Sequence, residues 1–250
     1  MTEPLKILLL LAVGSAAGFI NVMAGGGSSL TLPMLIFLGL DSAMANGTNR
    51  VAIFIQNISA IISFKQEKVH QFRLSLKLSL CTLPGAVLGA ILAVNISNDL
   101  FQKILAFVMI GIMLTIMFPK LNKTVVDSKK NSYNPWLLYP VMFGIGIYGG
   151  FLQVGVGFII MAALLHIMKL NLVHVNMHKV FIIFLYTIPA VFIFIWTKNI
   201  NWIYGLLLAA GNAFGAWWAA KLAVKKGEGI IRIVLLIAMF VIALKLFKVF

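Results

Sequence analysis

The chain has 250 residues, 62% hydrophobic and 10% charged, with a formal net charge of +14 at pH 7. Soluble domains carry roughly 25% charged residues, so a soluble globular protein and a large extramembrane domain are excluded, and the class is an all-α polytopic membrane protein. The basic residues lie in short loops between apolar runs, which is a topology pattern and not a nucleic-acid surface; the one cysteine, Cys81, has no partner for an internal disulfide.

Breakers and charges divide the chain into ten helical segments. The first covers about 4–24. Its Lys6, apolar run and small residues imitate a signal peptide, but a counterpart later in the chain argues for a permanent segment. A run of Gly25, Gly26 and Gly27 ends it, and a short segment follows over about 28–39. Glycine costs about 1 kcal/mol against alanine in a helix interior, so three together predict a backbone break. Irregular backbone in a bilayer needs burial in protein or a water-lined cavity. Ser28 and Ser29 are candidate N-caps. A helix N-terminus presents free amides and a positive dipole end, suited to an anion.

The third segment, about 42–64, opens with ANGTNR at 45–50. Arg50 is nine residues past Asp41, roughly 13 Å along a helix, deep for a surface anchor. A buried cation in a membrane is a functional hypothesis by default. Asn46, Thr48 and Asn49 accompany it, while Gln56 and Asn57 read as packing residues. Segments at about 74–95 and 99–118 complete a first repeat, 1–118. A polar, basic linker, 119–134, separates it from a second repeat, 135–250.

The second repeat reads as segments at about 135–154, 157–168, 172–196, 202–221 and 229–248. Residues 24–64 set above 154–194, an offset of 130, match at ten of 41 positions. Gly25 and Gly27 fall on Gly155 and Gly157, and Asn46 falls on Asn176. Lys179 falls on Asn49, beside Arg50, and His178 is its neighbour. His178 is the one histidine expected to face the site; His166 and His174 read as interfacial. The pairs Gly85/Gly89 and Gly211/Gly215 also correspond and read as helix-packing positions.

Loops 65–79, 119–134 and 221–232 each carry four Lys or Arg, against none at 96–100 and one at 197–202. Basic loops mark the cytoplasmic side, so the repeats are inverted, with both termini non-cytoplasmic. Eight full spans and two short segments are expected, because twelve residues reach only about 18 Å.

All six acidic residues lie in loops or at segment ends. No carboxylate is available at mid-membrane for a cation, so the donors at Gly25, Gly26, Gly27, Ser28, Asn46, Thr48, Asn49, Arg50, Gly155, Gly157, Asn176, His178 and Lys179 suit a small anionic substrate. No metal-ligand spacing, cofactor motif or catalytic constellation is present, so no catalytic residue, cofactor or enzymatic activity is expected. The partners are the anion and the lipid bilayer, with no nucleic acid; a homo-oligomer is compatible with the same composition.

The glycine break GFINVMAGGGSSLTLP at 18–33, MANGTNR at 44–50, LPGAVLGA at 83–90 and the duplicated layout together resemble the TauE/SafE family of membrane permeases. The resemblance implies export or uptake of sulfite, sulfonates and related organosulfur or carboxylate anions. It is weaker in the second half, where VGVGF replaces a fuller glycine run and Ala163 stands opposite Pro33. The expected function is a secondary transporter in the plasma membrane, working by export through a midplane site between the repeats. The alternative is a membrane scaffold or assembly factor that moves no solute.

Overall fold

The computed structural model describes residues 3–69, 71–117 and 135–246; the expected linker, 119–134, lies outside the described residues. The described chain is helical: α1 (Glu3–Met23), α2 (Ser28–Phe37), α3 (Ser42–Gln66), α4 (Phe72–Asn95), α5 (Asn98–Met117), α6 (Pro135–Phe151), α7 (Val156–Met168), α8 (Leu172–Trp196) and α9 (Trp202–Leu246). At Gly227 α9 is interrupted by non-helical backbone, with φ 66° and ψ −157°. Both glycine breaks are therefore real, and both short helices follow them.

Contacts fix the direction of each helix. Thr48 Oγ1 accepts from Asn201 N, Ser59 donates to Ala213 O and Ser63 donates to Trp217 O, so α3 and α9 run parallel. The turn 197–201 reverses the chain, so α8 is antiparallel to both. Asn98, at the start of α5, accepts from Ser42 N at 2.8 Å, which puts the α4–α5 turn at the end where α3 begins. α2 returns beside α1: a side chain at Gly27 would overlap Ala17 and Asn21. It must then meet the start of α3 within four residues. Thus α1 and α2 enter from one end and turn back at the break. By the same geometry α6 and α7 enter from the opposite end, because α6 is parallel to α4 and α8 starts where α4 starts.

The long contacts are glycine crossings. In α4 and α6, Gly85 and Gly89 lie on the backbone at Phe143, Ile147 and Phe151, while Gly146 and Gly150 lie on Thr82 and Ala86. In α1 and α9, Gly14 and Gly18 lie on Leu208 and Asn212, and Gly211 and Gly215 lie on Leu11 and Ser15. Small residues allow this approach, and in lipid the gain comes from dispersion and not from water release. The packing role read from the sequence for Gly85, Gly89, Gly211 and Gly215 holds.

Positions 130 apart share backbone geometry. Gly25 and Gly155 have φ of 89° and 71°, Gly39 and Lys169 of 96° and 52°, and Lys68 and Lys198 of 60° and 57°. Asp41 and Asn171 both cap helices, accepting from Met44 N and His174 N.

Four described helices are long and apolar enough to cross a membrane: Glu3–Met23, Arg73–Asn95, Leu172–Trp196 and Trp202–Gly227. That is fewer than the eight full spans expected. The 25-residue α3 is diluted by its buried polar residues, and α2, α6 and α7 are short. Large apolar side chains such as Leu8, Phe107, Phe192 and Ile203 point outward, as they do where lipid is the solvent. Trp196 and Trp202 flank the 197–201 turn and are exposed, in keeping with an interfacial belt.

The crossings generate a test. A methyl group at Gly89 would lie 2.6 Å from Phe151 N, whereas one at Gly144 meets nothing within 4 Å. Gly89→Ala is expected to lower the thermal midpoint in detergent, at an overpacking cost of about 1–3 kcal/mol. Gly144→Ala is expected to leave it unchanged or raise it, by up to about 1 kcal/mol. Equal midpoints for the two variants would remove the close-packing account.

Candidate functional site

The two breaks meet. A Cβ at Gly25 would lie 2.6 Å from Gly157 Cα, and one at Gly157 would lie 2.7 Å from Gly25 O. Gly25 is left-handed as well, so a side chain there is excluded twice. Gly26 rests on the ring of Phe158. Gly27 is the N-cap residue of α2 and Gly155 that of α7, neither with a side-chain cap. Ser28, expected as a cap, is instead the first helical residue, and Ser29 Oγ donates to Gly26 O at 2.7 Å. In the first turns Ser29 N and Leu30 N of α2 donate to Gly26 O and Gly27 O, and Phe158 N of α7 donates to Gly155 O; both positive dipole ends converge on the middle.

The opposite dipole ends are there too. The last carbonyls of α1 and α6 are buried at the same breaks, and residues of the other half cap them. Asn46 of α3 donates to Phe151 O at 2.8 Å. Arg50 donates through Nη1 to Gly149 O at 3.1 Å and Gln153 Oε1 at 3.3 Å, and through Nη2 to Gly150 O. In the other direction, Asn176 of α8 donates to Met23 O at 3.4 Å and Lys179 to Val22 O at 2.6 Å. Cations near a helix C-terminus are favoured by its dipole.

Arg50 and Lys179 are both fully buried. Among the described residues the ion pairs are Lys6–Glu3 and Lys103–Asp99, both within single helices and remote from the breaks. The two buried cations thus have carbonyls and a π-face as partners, but no carboxylate. The Arg50 guanidinium carbon lies 5.1 Å from the Phe194 ring centre. Among the described residues its Nε has no partner, nor has Asn49 Nδ2. Asn49 Oδ1 accepts from Thr31 of α2 at 2.7 Å, which holds the Arg50 helix against the short helix after the break.

The cations do not sit side by side. Phe54 and Phe184 stack at 5.2 Å where α3 and α8 cross. Arg50 precedes Phe54 by four residues and Lys179 precedes Phe184 by five. The helices are antiparallel, so the two positions lie on opposite sides of the crossing, roughly 13 Å apart along the axis.

Two expected site residues lie elsewhere. Thr48 accepts from Asn201 N at 2.9 Å and so pins the α8–α9 turn. His178 meets Ser75 of α4 at 2.7 Å through Nδ1, on a face of α8 turned away from Lys179. Sequence reasoning missed Tyr186, which donates to Gln153 Oε1 at 3.2 Å and so orients the acceptor shared with Arg50. Gln153 lies just before the second break. Tyr186 gave no signal, being one aromatic in an apolar run.

A family model described as "Sulfite exporter TauE/SafE" matches residues 10–246. A probable membrane transporter protein of Haemophilus influenzae is 29% identical over 96% of this chain and 94% of its own. The Escherichia coli (strain K12) probable membrane transporter protein YfcA is 30% identical, covering 98% and 91%. YunE of Bacillus subtilis, also a probable membrane transporter protein, is 23% identical over 93% and 96%. No solved structure matches the chain. With a match over nearly its whole length and the glycine breaks in place, this chain belongs to the sulfite exporter TauE/SafE family.

Proposed function

We propose that this protein is a secondary transporter that carries a small anion of the sulfite, sulfonate, thiosulfate or carboxylate class out of the cell, through a midplane site between two inverted repeats in the plasma membrane. The observation that carries the reading is the pair of fully buried cations without a carboxylate partner, beside two facing helix N-termini. Spare donors with no counter-charge suit an anion and repel a cation. Arg50 Nε and Asn49 Nδ2 supply the unpartnered donors. The relatives, each a probable membrane transporter protein, agree with a transport role.

Inversion is supported by the opposite entry of the α1–α2 and α6–α7 hairpins and by the backbone geometry repeated 130 residues apart. If each hairpin re-enters without crossing, three helices cross per half, still the odd number that inversion needs. One end of the bundle carries Lys65, Lys68, Arg73, Lys77, Lys169, Lys221, Lys225 and Lys226 with Glu67; the other carries Lys6, Lys103 and Lys198 with Glu3, Asp41 and Asp99. The first end is cytoplasmic by the positive-inside rule, which puts both termini outside. The inside-negative potential drives an anion outward with about 2.3 kcal/mol per charge per 100 mV, so export needs no coupling ion. A scaffold reading draws on the complete burial of Arg50, a feature shared with an occluded transporter; flux separates the two.

In proteoliposomes screened with sulfite, thiosulfate, sulfonates and small carboxylates, at least one anion is expected to be carried. Arg50→Gln is expected to weaken its apparent affinity about tenfold to a hundredfold, from the loss of a charge-assisted hydrogen bond of about 1.5–3 kcal/mol. Arg50→Lys keeps the charge without the planar fork and is expected to fall between. Unchanged flux in a normally inserted Arg50→Gln would remove the site assignment.

Sidedness is checked in a Cys81→Ser background. Single cysteines at Glu3 and Asn199 are expected to react with an impermeant maleimide from the outside of intact cells, and one at Gln66 only after permeabilisation. Labelling of all three from one side would end the inverted reading.

A further inference from the structure

The two buried cations differ in what they have left to give. A lysine ammonium has three donors. Those of Lys179 meet Val22 O at 2.6 Å, Asn176 Oδ1 at 2.8 Å and Met161 Sδ at 3.5 Å. Nothing remains for a ligand. Arg50 has five donors, and its Nε is buried without a partner. The partners of Lys179 also come from three elements. Val22 lies in the last turn of α1, Met161 belongs to α7 and Asn176 to α8 itself. Asn176 spends its own amide on Met23 O, the next carbonyl of the same helix end.

We propose that Lys179 is a positioning residue, a latch that holds the broken end of α1 against α7 and α8 on the cytoplasmic side of the crossing, and that substrate charge is read by Arg50 alone. The proposal rests on the transport reading above for its sidedness. The carbonyls of Val22 and Met23 end a helix inside the bilayer, where lipid offers no donor. While Lys179 and Asn176 supply donors, the α1–α2 hairpin stays closed toward the basic end. Release of this contact frees the hairpin to swing and wets the Gly25–Gly157 junction from that side. The Asn46–Arg50 cap on α6 plays the corresponding part toward the other end, but there the cation retains a free donor for the anion.

The test separates a latch from a ligand. In a Ser28→Cys, Cys81→Ser background, Lys179→Met is expected to raise the rate of labelling by an impermeant maleimide from the cytoplasmic side at least tenfold, read on inside-out vesicles. Lys179→Arg, which retains donors for Val22 O and Asn176 Oδ1, is expected to restore protection. In sulfite flux, Lys179→Met is expected to lower the maximal rate with KM within twofold, whereas Arg50→Gln raises KM. A rise in KM for Lys179→Met equal to that for Arg50→Gln, with labelling unchanged, would make Lys179 a ligand and overturn the proposal. Unchanged labelling and unchanged flux would overturn it equally. The labelling arm requires no substrate, so it stands even if sulfite is not carried and the anion reading fails. Asn176→Ala, which removes the neighbouring cap without touching a charge, is expected to move labelling in the same direction by a smaller factor.

Discussion

Two helices of this protein end inside the bundle, and their last carbonyls have to find donors in a setting where lipid supplies none. Each half solves the problem for the other. Asn46 and Arg50 of α3 reach the end of α6, and Asn176 and Lys179 of α8 reach the end of α1. An unsatisfied backbone group in hydrocarbon costs several kcal/mol, so neither hairpin can keep its break without the opposite helix. The rest of the architecture serves this exchange. Glycine crossings bring α1 onto α9 and α6 onto α4 at backbone contact, and Phe54 stacked on Phe184 sets the crossing from which the caps reach outward.

The same arrangement accounts for charge at depth. A buried arginine or lysine without a counter-ion is costly, on the order of 3 kcal/mol by insertion scales. Here the negative ends of α1 and α6 offset part of that cost. Their positive counterparts, the N-termini of α2 and α7, lie across the break, facing each other at Gly25 and Gly157. The centre of the molecule therefore carries a surplus of positive potential, bounded by a ring of Phe194 over Arg50 and a hydroxyl of Tyr186 on Gln153. Electrostatics of this sign, closed to solvent in the present conformation, accounts for glycine at the two breaks of this chain. A side chain at Gly25 or Gly157 would separate the two dipole ends that have to converge.

What the sequence by itself determined was local. Glycines predicted both breaks, since a side chain at Gly25 would face both a left-handed backbone and the Gly157 backbone. Apolar runs and loop charges predicted the helices to within a few residues, with α8 at the expected 172–196. The match of Asn46 to Asn176 at an offset of 130 pointed to two positions whose amides donate to Phe151 O and Met23 O, the last carbonyls of α6 and α1. Arg50 and Lys179 were legible as deep cations because a charge in an apolar run is conspicuous. What only the tertiary structure decided was partnership and direction. The acceptors of Arg50 are carbonyls of Gly149 and Gly150, about a hundred residues away, and a carbonyl oxygen is present on every residue, so no sequence pattern marks it. The return of α2 beside α1 follows from where α3 must begin, which depends on the α4–α5 turn meeting Ser42. Helical periodicity says which face of α8 is buried but not against what, so His178 was assigned to the site although it meets Ser75 of α4. The partner of Thr48 was hidden for the same reason: its turn of α3 is buried, and its hydroxyl accepts from Asn201 N.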